Sequence, residues 1–231
     1  MRTIGLIGGM SWESSAEYYR LINQGVAREL GGHSSARLVM VSVDFAEIES
    51  LQVAGDWDTA AAMLADAARS LEAAGAGCVV IGTNTMHLVA DQVQTAVAIP
   101  LLHIADATAA AIERDGRGVI GLLGTRFTME MDFYRGRLAN KHGLNVIVPD
   151  EPDRTTVHDV IYDELVLGEV KDTSRQEYLA VIDRLVARGA EGVILGCTEI
   201  GLLVDASVTD VPLYDTTRIH AEAAVTWALG S

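Results

Sequence analysis

Two short phrases in this chain end on residues that can carry protons. "GAEGVILGCTEI" (Gly189–Ile200) closes an apolar run at Gly196 and then presents Cys197, Thr198 and Glu199. "GAGCVVIGTNTMH" (Gly75–His87) closes the matching run at Gly82 and presents Thr83, Asn84 and Thr85. A thiolate is a competent base or nucleophile near neutral pH, whereas a hydroxyl is a far weaker acid that needs help from a base or water. A thiol and a hydroxyl at equivalent places could handle protons on opposite faces of one planar centre. A helix start just beyond Cys197 would lower its pKa and favour the thiolate. The polar residues that follow each position can offer donors to an anion or cap a helix, and both roles can hold at once.

Further polar candidates follow other apolar runs. Met10 and Ser11 come after "TIGLIGG", and Arg126 and Phe127 stand near the matching positions after "VIGLLGT". "GTRFT" offers Thr125 and Thr128 as pocket donors, with capping by Ser11 or Thr128 an equal possibility. His87 and His103 could be general bases, but supporting hydrogen bonds are the expected role for both. Asp215, Thr216 and Thr217 are expected to cap the last helix. Cys78 has no counterpart at Gly192 and reads as core.

The elements that must position these residues alternate along the chain. Strand candidates are "TIGLIG", "ARLVMVSV", "CVVIG", "PLLHI", "GVIGLLG", "LNVIVP", "GVILG" and "VPLYD". Helical periodicity fills the stretches between, as in 59–74 and 175–188. Strands apolar on both faces that alternate with helices indicate parallel α/β sheets. The chain also repeats itself in order. "TIGLIGG" matches "VIGLLGT", "YYR" matches "FYR", "GAGCVVIGT" matches "GAEGVILGC", and "IPLLHI" matches "VPLYDT", each displaced slightly less than the one before. This pattern indicates a duplicated α/β unit. Ligands bind beyond the carboxyl ends of parallel strands, so Thr83 and Cys197 would meet at one cleft if the copies face each other.

Composition narrows the partners. The 231 residues carry a formal charge of −15, which argues against nucleic acid or an anionic membrane as a general partner. No apolar segment approaches the roughly 20 residues a membrane-spanning helix needs. There is no signal-peptide pattern, and two cysteines make no disulfide framework, so a cytoplasmic protein is expected.

Taken together, "IGLIGGMSWESSAEYYRLIN", "GTNTMH", "LGCTEI" and "LYDTTRIHA" resemble the cofactor-independent aspartate/glutamate racemases over essentially the whole chain. The resemblance implies two pseudo-symmetric flavodoxin-like domains with parallel sheets, the active site in the cleft between them. It assigns 1–98 plus 208–231 to the first domain and 99–207 to the second. It also implies a homodimer, an acidic amino acid as substrate, and no pyridoxal phosphate, metal or nicotinamide. Members ordinarily carry a cysteine at both catalytic positions, so Thr83 departs from the pattern. By the resemblance, Cys197 deprotonates Cα and Thr83 reprotonates the opposite face, with the L-enantiomer served better. Asn84, Thr85, Thr198 and Glu199 bind the substrate carboxylate or, for Glu199, its ammonium. Relatives place a basic residue near Gln52 and Lys171 to hold the second carboxylate; Lys171 fits that role and Gln52 carries no charge. Two other functions stay open. One is a single-thiol decarboxylase of a malonate-type acid, and the other is a non-catalytic module that binds an acidic amino acid.

Overall fold

The computed structural model describes residues 1–230. Their strands form two four-stranded parallel sheets. In the first, β1 (Ile4–Gly8), β2 (Leu38–Ser42), β3 (Cys78–Ile81) and β4 (Leu101–Leu102) lie in the order β2-β1-β3-β4. In the second, β5 (Val119–Gly124), β6 (Asn145–Ile147), β7 (Val193–Gly196) and β8 (Leu213–Asp215) lie in the order β6-β5-β7-β8. The sequence repeat is therefore also a repeat of strand order. β1 answers β5, and β3, which precedes Thr83, answers β7, which precedes Cys197.

Contacts divide the chain into a first unit, residues 1–104 with the chain from His220 on, and a second, Ala105–Ile219. Both junctions fall later than the expected 98/99 and 207/208. The reason is strand pairing: β4 hydrogen-bonds to β3 (Val79↔Leu101), and β8 to β7 (Val193↔Leu213). Residues 99–104 thus complete the first sheet and 208–215 the second. The last helix, Thr216–Leu229, carries the chain from the second unit into the first.

Why the central strands read as apolar without alternation is visible in the first unit. β1 and β3 are buried along their whole length. Successive side chains of a strand point to opposite faces, and here both faces are covered. Ile7, Val79 and Ile81 pack with Ala60, Leu64, Ala68 and Leu71 of the helix Trp57–Ala73. Ile4, Leu6, Cys78 and Val80 pack with Tyr18, Ile22 and Val26 of Trp12–Leu30 and with Ala221, Ala224 and Val225 of the last helix. Each fully buried Leu or Ile of this kind contributes about 1.5–3 kcal/mol. Cys78 is a member of this core, and burial pushes its thiol up to about 12. In the second unit Leu123, Val193 and Leu195 pack with Tyr178, Val181, Ile182 and Leu185 of the helix Asp172–Ala187.

Candidate active site

The turns that follow β3 and β7 are set by two glycines. A Cβ on Gly82 would sit 3.1 Å from the carbonyl oxygen of Ile7, and one on Gly196 would sit 2.8 Å from that of Leu123. Each glycine lets its strand end hard against the neighbouring strand and turn there, carrying the next side chain past the sheet's carboxyl edge. Thr83 and Cys197 are those next residues.

In the first unit the Thr83 turn is fastened from two sides. Ser11 caps the helix Trp12–Leu30 by accepting from the Ser14 amide at 3.2 Å. The Ser14 hydroxyl then donates to the Gly82 carbonyl at 3.1 Å. Gly9 N–H donates to the Ser15 hydroxyl at 2.7 Å, so the segment after β1 and the one after β3 are tied together. Beyond Thr83, His87 lies 2.8 Å from the Thr83 carbonyl through its Nδ1. Asn84 and Thr85 are buried at the start of the 3-10 helix Thr85–Val89. Gln52 is also buried, and its amide donates to the Met86 sulfur at 3.2 Å. Met10 is part of the apolar cluster under the sheet.

In the second unit Cys197 is partly buried and donates from Sγ to Glu199 Oε2 at 3.0 Å. Thr198 Oγ1 donates to the same carboxylate oxygen, and Glu199 itself is buried. Burial, and after it the charge and hydrogen bond of Glu199, raise the Cys197 thiol well above its ordinary value. The expectation of a lowered thiol pKa is therefore corrected. The helix after the turn, Ile200–Leu203, is only four residues long and offers little dipole, whereas the Glu199 carboxyl lies 3.0 Å from the sulfur and disfavours a second negative charge there. At rest the Cys197 thiol keeps its proton in the hydrogen bond to Glu199. Tyr178, raised by its own burial and then by the neighbouring Cys197, donates its hydroxyl to the Val157 carbonyl at 2.8 Å.

Thr125 caps the short helix Arg126–Glu130 by accepting from the Thr128 amide at 3.3 Å. Capping thus falls to Thr125 rather than Thr128. The Thr128 side chain is fully buried, and its Cγ2 would lie 3.3 Å from a Cβ on Gly196, so it packs beneath the Cys197 turn. Lys171 is half exposed and pairs with Glu169 at 3.0 Å and Glu164 at 3.3 Å. Asp215 accepts from the Thr217 and Arg218 amides, capping the last helix as expected. Thr216 instead donates to the Leu195 carbonyl at 2.8 Å.

Ser14 and Tyr178 went unread in the sequence. "SWESS" and "EYL" carry no spacing that separates a tether from an ordinary helical residue; only the fold brings Ser14 to Gly82. Among the described residues, no group of three or more His, Cys, Asp or Glu is arranged to hold a metal ion. No helix among them is long and apolar enough to cross a membrane.

Twin parallel α/β sheets, each ending a central strand on a proton-carrying side chain, define a class of two-domain α/β protein. Within that class, the profile of the Asp/Glu/Hydantoin racemase family matches residues 7–224, and the chain belongs to that family. It is 58% identical to a Yersinia pestis protein whose crystal structure is assigned to the Asp/Glu racemases, with a TM-score of 0.94 over 99% of this chain and 100% of that one. It is 34% identical to an aspartate racemase homologue from Pyrococcus horikoshii OT3, with a TM-score of 0.86 and the same coverage. The broad specificity amino-acid racemase RacX of Bacillus subtilis is 23% identical over 74% of this chain and 73% of its own length.

Proposed function

We propose that this protein racemises L-aspartate or L-glutamate without a cofactor, with Cys197 as the base at Cα and Thr83 as the proton donor to the opposite face. The observation that carries the reading is the Cys197–Glu199 hydrogen bond at 3.0 Å, in a chain of a racemase family. A neutral thiol cannot take a proton. Glu199 solves this by accepting the Sγ proton once substrate excludes water, and the thiolate then takes the α-proton. The electron pair left on Cα spreads into the substrate carboxylate as an enolate-like carbanion. Donors in the turns at Asn84, Thr85 and Thr198 favour the added oxyanion charge.

The Thr83 hydroxyl then gives its proton to the other face of Cα and is reprotonated through water. Glu199 returns its proton to solvent, so the cycle closes with every group restored. A free alkoxide is too high in energy to accumulate, so Thr83 serves as donor far better than as base. Exchange of the α-proton is therefore faster from the L-side, whereas inversion has the same kcat/KM in both directions and ends at an equal mixture, because the enantiomers have equal free energy in water. Thr125, Thr128, Met10 and Gln52 shape the pocket walls of this reading. Lys171 would have to exchange Glu164 or Glu169 for a substrate carboxylate. A cytoplasmic homodimer is part of the same reading.

Purified enzyme incubated with each L-amino acid and analysed by chiral chromatography tests it. D-product from L-aspartate or L-glutamate, abolished in Cys197→Ala, is the expected result. D-product that persists in Cys197→Ala overturns the assignment.

A further inference from the structure

β3 and β4 pair over only two rungs, Val79↔Leu101 and Val80↔Leu102. Beyond them the chains separate: one turns at Thr83, and the other begins the helix Ile104–Arg114, where it leaves the first unit. The His87 imidazole fills the gap. Its Nε2 lies 3.2 Å from the Ile104 backbone nitrogen, and its Nδ1 lies 2.8 Å from the Thr83 carbonyl oxygen. An amide N–H can only donate, so Nε2 must be the bare nitrogen of the ring. The ring proton then sits on Nδ1, where it donates to Thr83. Both bonds are satisfied by one neutral tautomer and by no other protonation state: imidazolium would turn two donors on each other at Ile104.

A second imidazole secures the same edge. His220 Nε2 lies 2.7 Å from the Leu102 carbonyl, which can only accept. Its Nδ1 is consequently bare and accepts from the Tyr18 hydroxyl at 2.9 Å. The rings of His87 and His103 stand 4.6 Å apart and those of His87 and His220 5.7 Å apart. His87 is buried and has no freedom to swing away. Fixing the Thr83 carbonyl fixes the plane of the Thr83–Asn84 peptide; with the Gly82 carbonyl already held by Ser14, both peptides of Thr83 are set, and with them the direction in which its side chain leaves the backbone.

We propose that His87 is the positioning residue of Thr83, acting as a side-chain rung that extends the β3–β4 pairing and aims the Thr83 hydroxyl for proton delivery. This rests on the racemase reading above. It separates two events of the proposed reaction. Removal of the α-proton from L-substrate depends on Cys197 and is measured as deuterium exchange. Inversion depends also on Thr83 and is measured as D-product. An aiming defect at Thr83 lowers inversion and leaves exchange in place; a general loss of structure lowers both.

The asparagine amide mimics the Nδ1 side of imidazole and glutamine mimics the Nε2 side. His87→Asn keeps the donor to Thr83 and drops Ile104. His87→Gln keeps an acceptor for Ile104 and drops Thr83. The experiment incubates wild type and both variants with the preferred L-substrate in deuterium oxide and follows α-proton loss by NMR and D-product by chiral chromatography. The expected result is exchange within about 3-fold of wild type in both variants. The ratio of inversion to exchange falls about 10-fold or more in His87→Gln alone, a misaimed donor losing part of the roughly 100-fold that a general acid contributes at the low end. An unchanged ratio in His87→Gln, with wild type active, overturns the role of His87 while leaving the racemase reading intact. No exchange or inversion by wild type overturns both. If His87→Gln does not fold, nitrogen-15 NMR of the wild-type imidazoles still decides. An Nδ1–H tautomer at His87 supports the assignment, and an Nε2–H tautomer refutes it.

Discussion

At the scale of single residues, the proposed function turns on one carboxylate beside one sulfur. Glu199 raises the Cys197 thiol by charge and by hydrogen bond, so replacing it should lower that pKa. The chain has two cysteines, and Cys78 is sealed in the core; alkylation by iodoacetamide therefore reports Cys197. In Glu199→Gln the midpoint of the alkylation rate should move to lower pH than in wild type. Exchange chemistry should move the opposite way at neutral pH, slowing about 100-fold, because the internal acceptor is gone. What remains should climb tenfold per pH unit until the thiol itself titrates. A wild-type alkylation midpoint at or below that of the variant would show that Glu199 does not hold the thiol proton. The sequence made the sulfur legible through its place in the repeat. The direction of the pKa was misread, because helix length sets the dipole's strength and a helix of four residues looks no different in sequence from a long one.

At the scale of elements, the geometry depends on strands that end abruptly. Gly196→Ala would force a Cβ to 2.8 Å from the backbone oxygen of Leu123, and Gly82→Ala to 3.1 Å from that of Ile7. Backbone in a central strand cannot give way as a side chain can, so Gly196→Ala should cost more stability, about 1–3 kcal/mol, and Gly82→Ala less. Urea denaturation of the two variants checks the order; equal midpoints would mean the strand ends relax freely. Strand identity was legible because β1, β3, β5 and β7 are buried on both faces, which leaves unbroken apolar runs. The short edge strands were less so. "LNVIVP" keeps only Asn145–Ile147, and β4 only two residues, because edge strands pair on one side and stop where side chains such as His87 take over. The domain junctions were misplaced for the same reason: "IPLLHI" and "VPLYDT" look like beginnings, yet they are the final strands of their sheets.

At the scale of the whole chain, stability and function share the buried histidines. Burial lowers His220 from 6.5 to about 4. The unfolded chain takes up this proton first as pH falls. The contribution of His220 is accordingly intact above pH 6.5 and is lost progressively as the pH drops toward 4, by up to about 3 kcal/mol. Unfolding free energies of wild type and His220→Gln between pH 7 and 4 should converge with that slope; parallel curves would show that His220 does not drive it. If Cys197 and Thr83 divide the proton work as proposed, the α-protons of the two enantiomers should exchange at unequal rates. The most direct test is proton NMR of L- and D-aspartate and L- and D-glutamate with the enzyme in deuterium oxide. The account predicts that one L-substrate loses its α-proton signal several-fold faster than its D-enantiomer, with both enantiomers equal in amount at the end. Equal exchange from both enantiomers would contradict the division of labour between Cys197 and Thr83. No exchange from any of the four would contradict the racemase reading itself, and carbon dioxide release from a malonate-type acid would then replace it with decarboxylation.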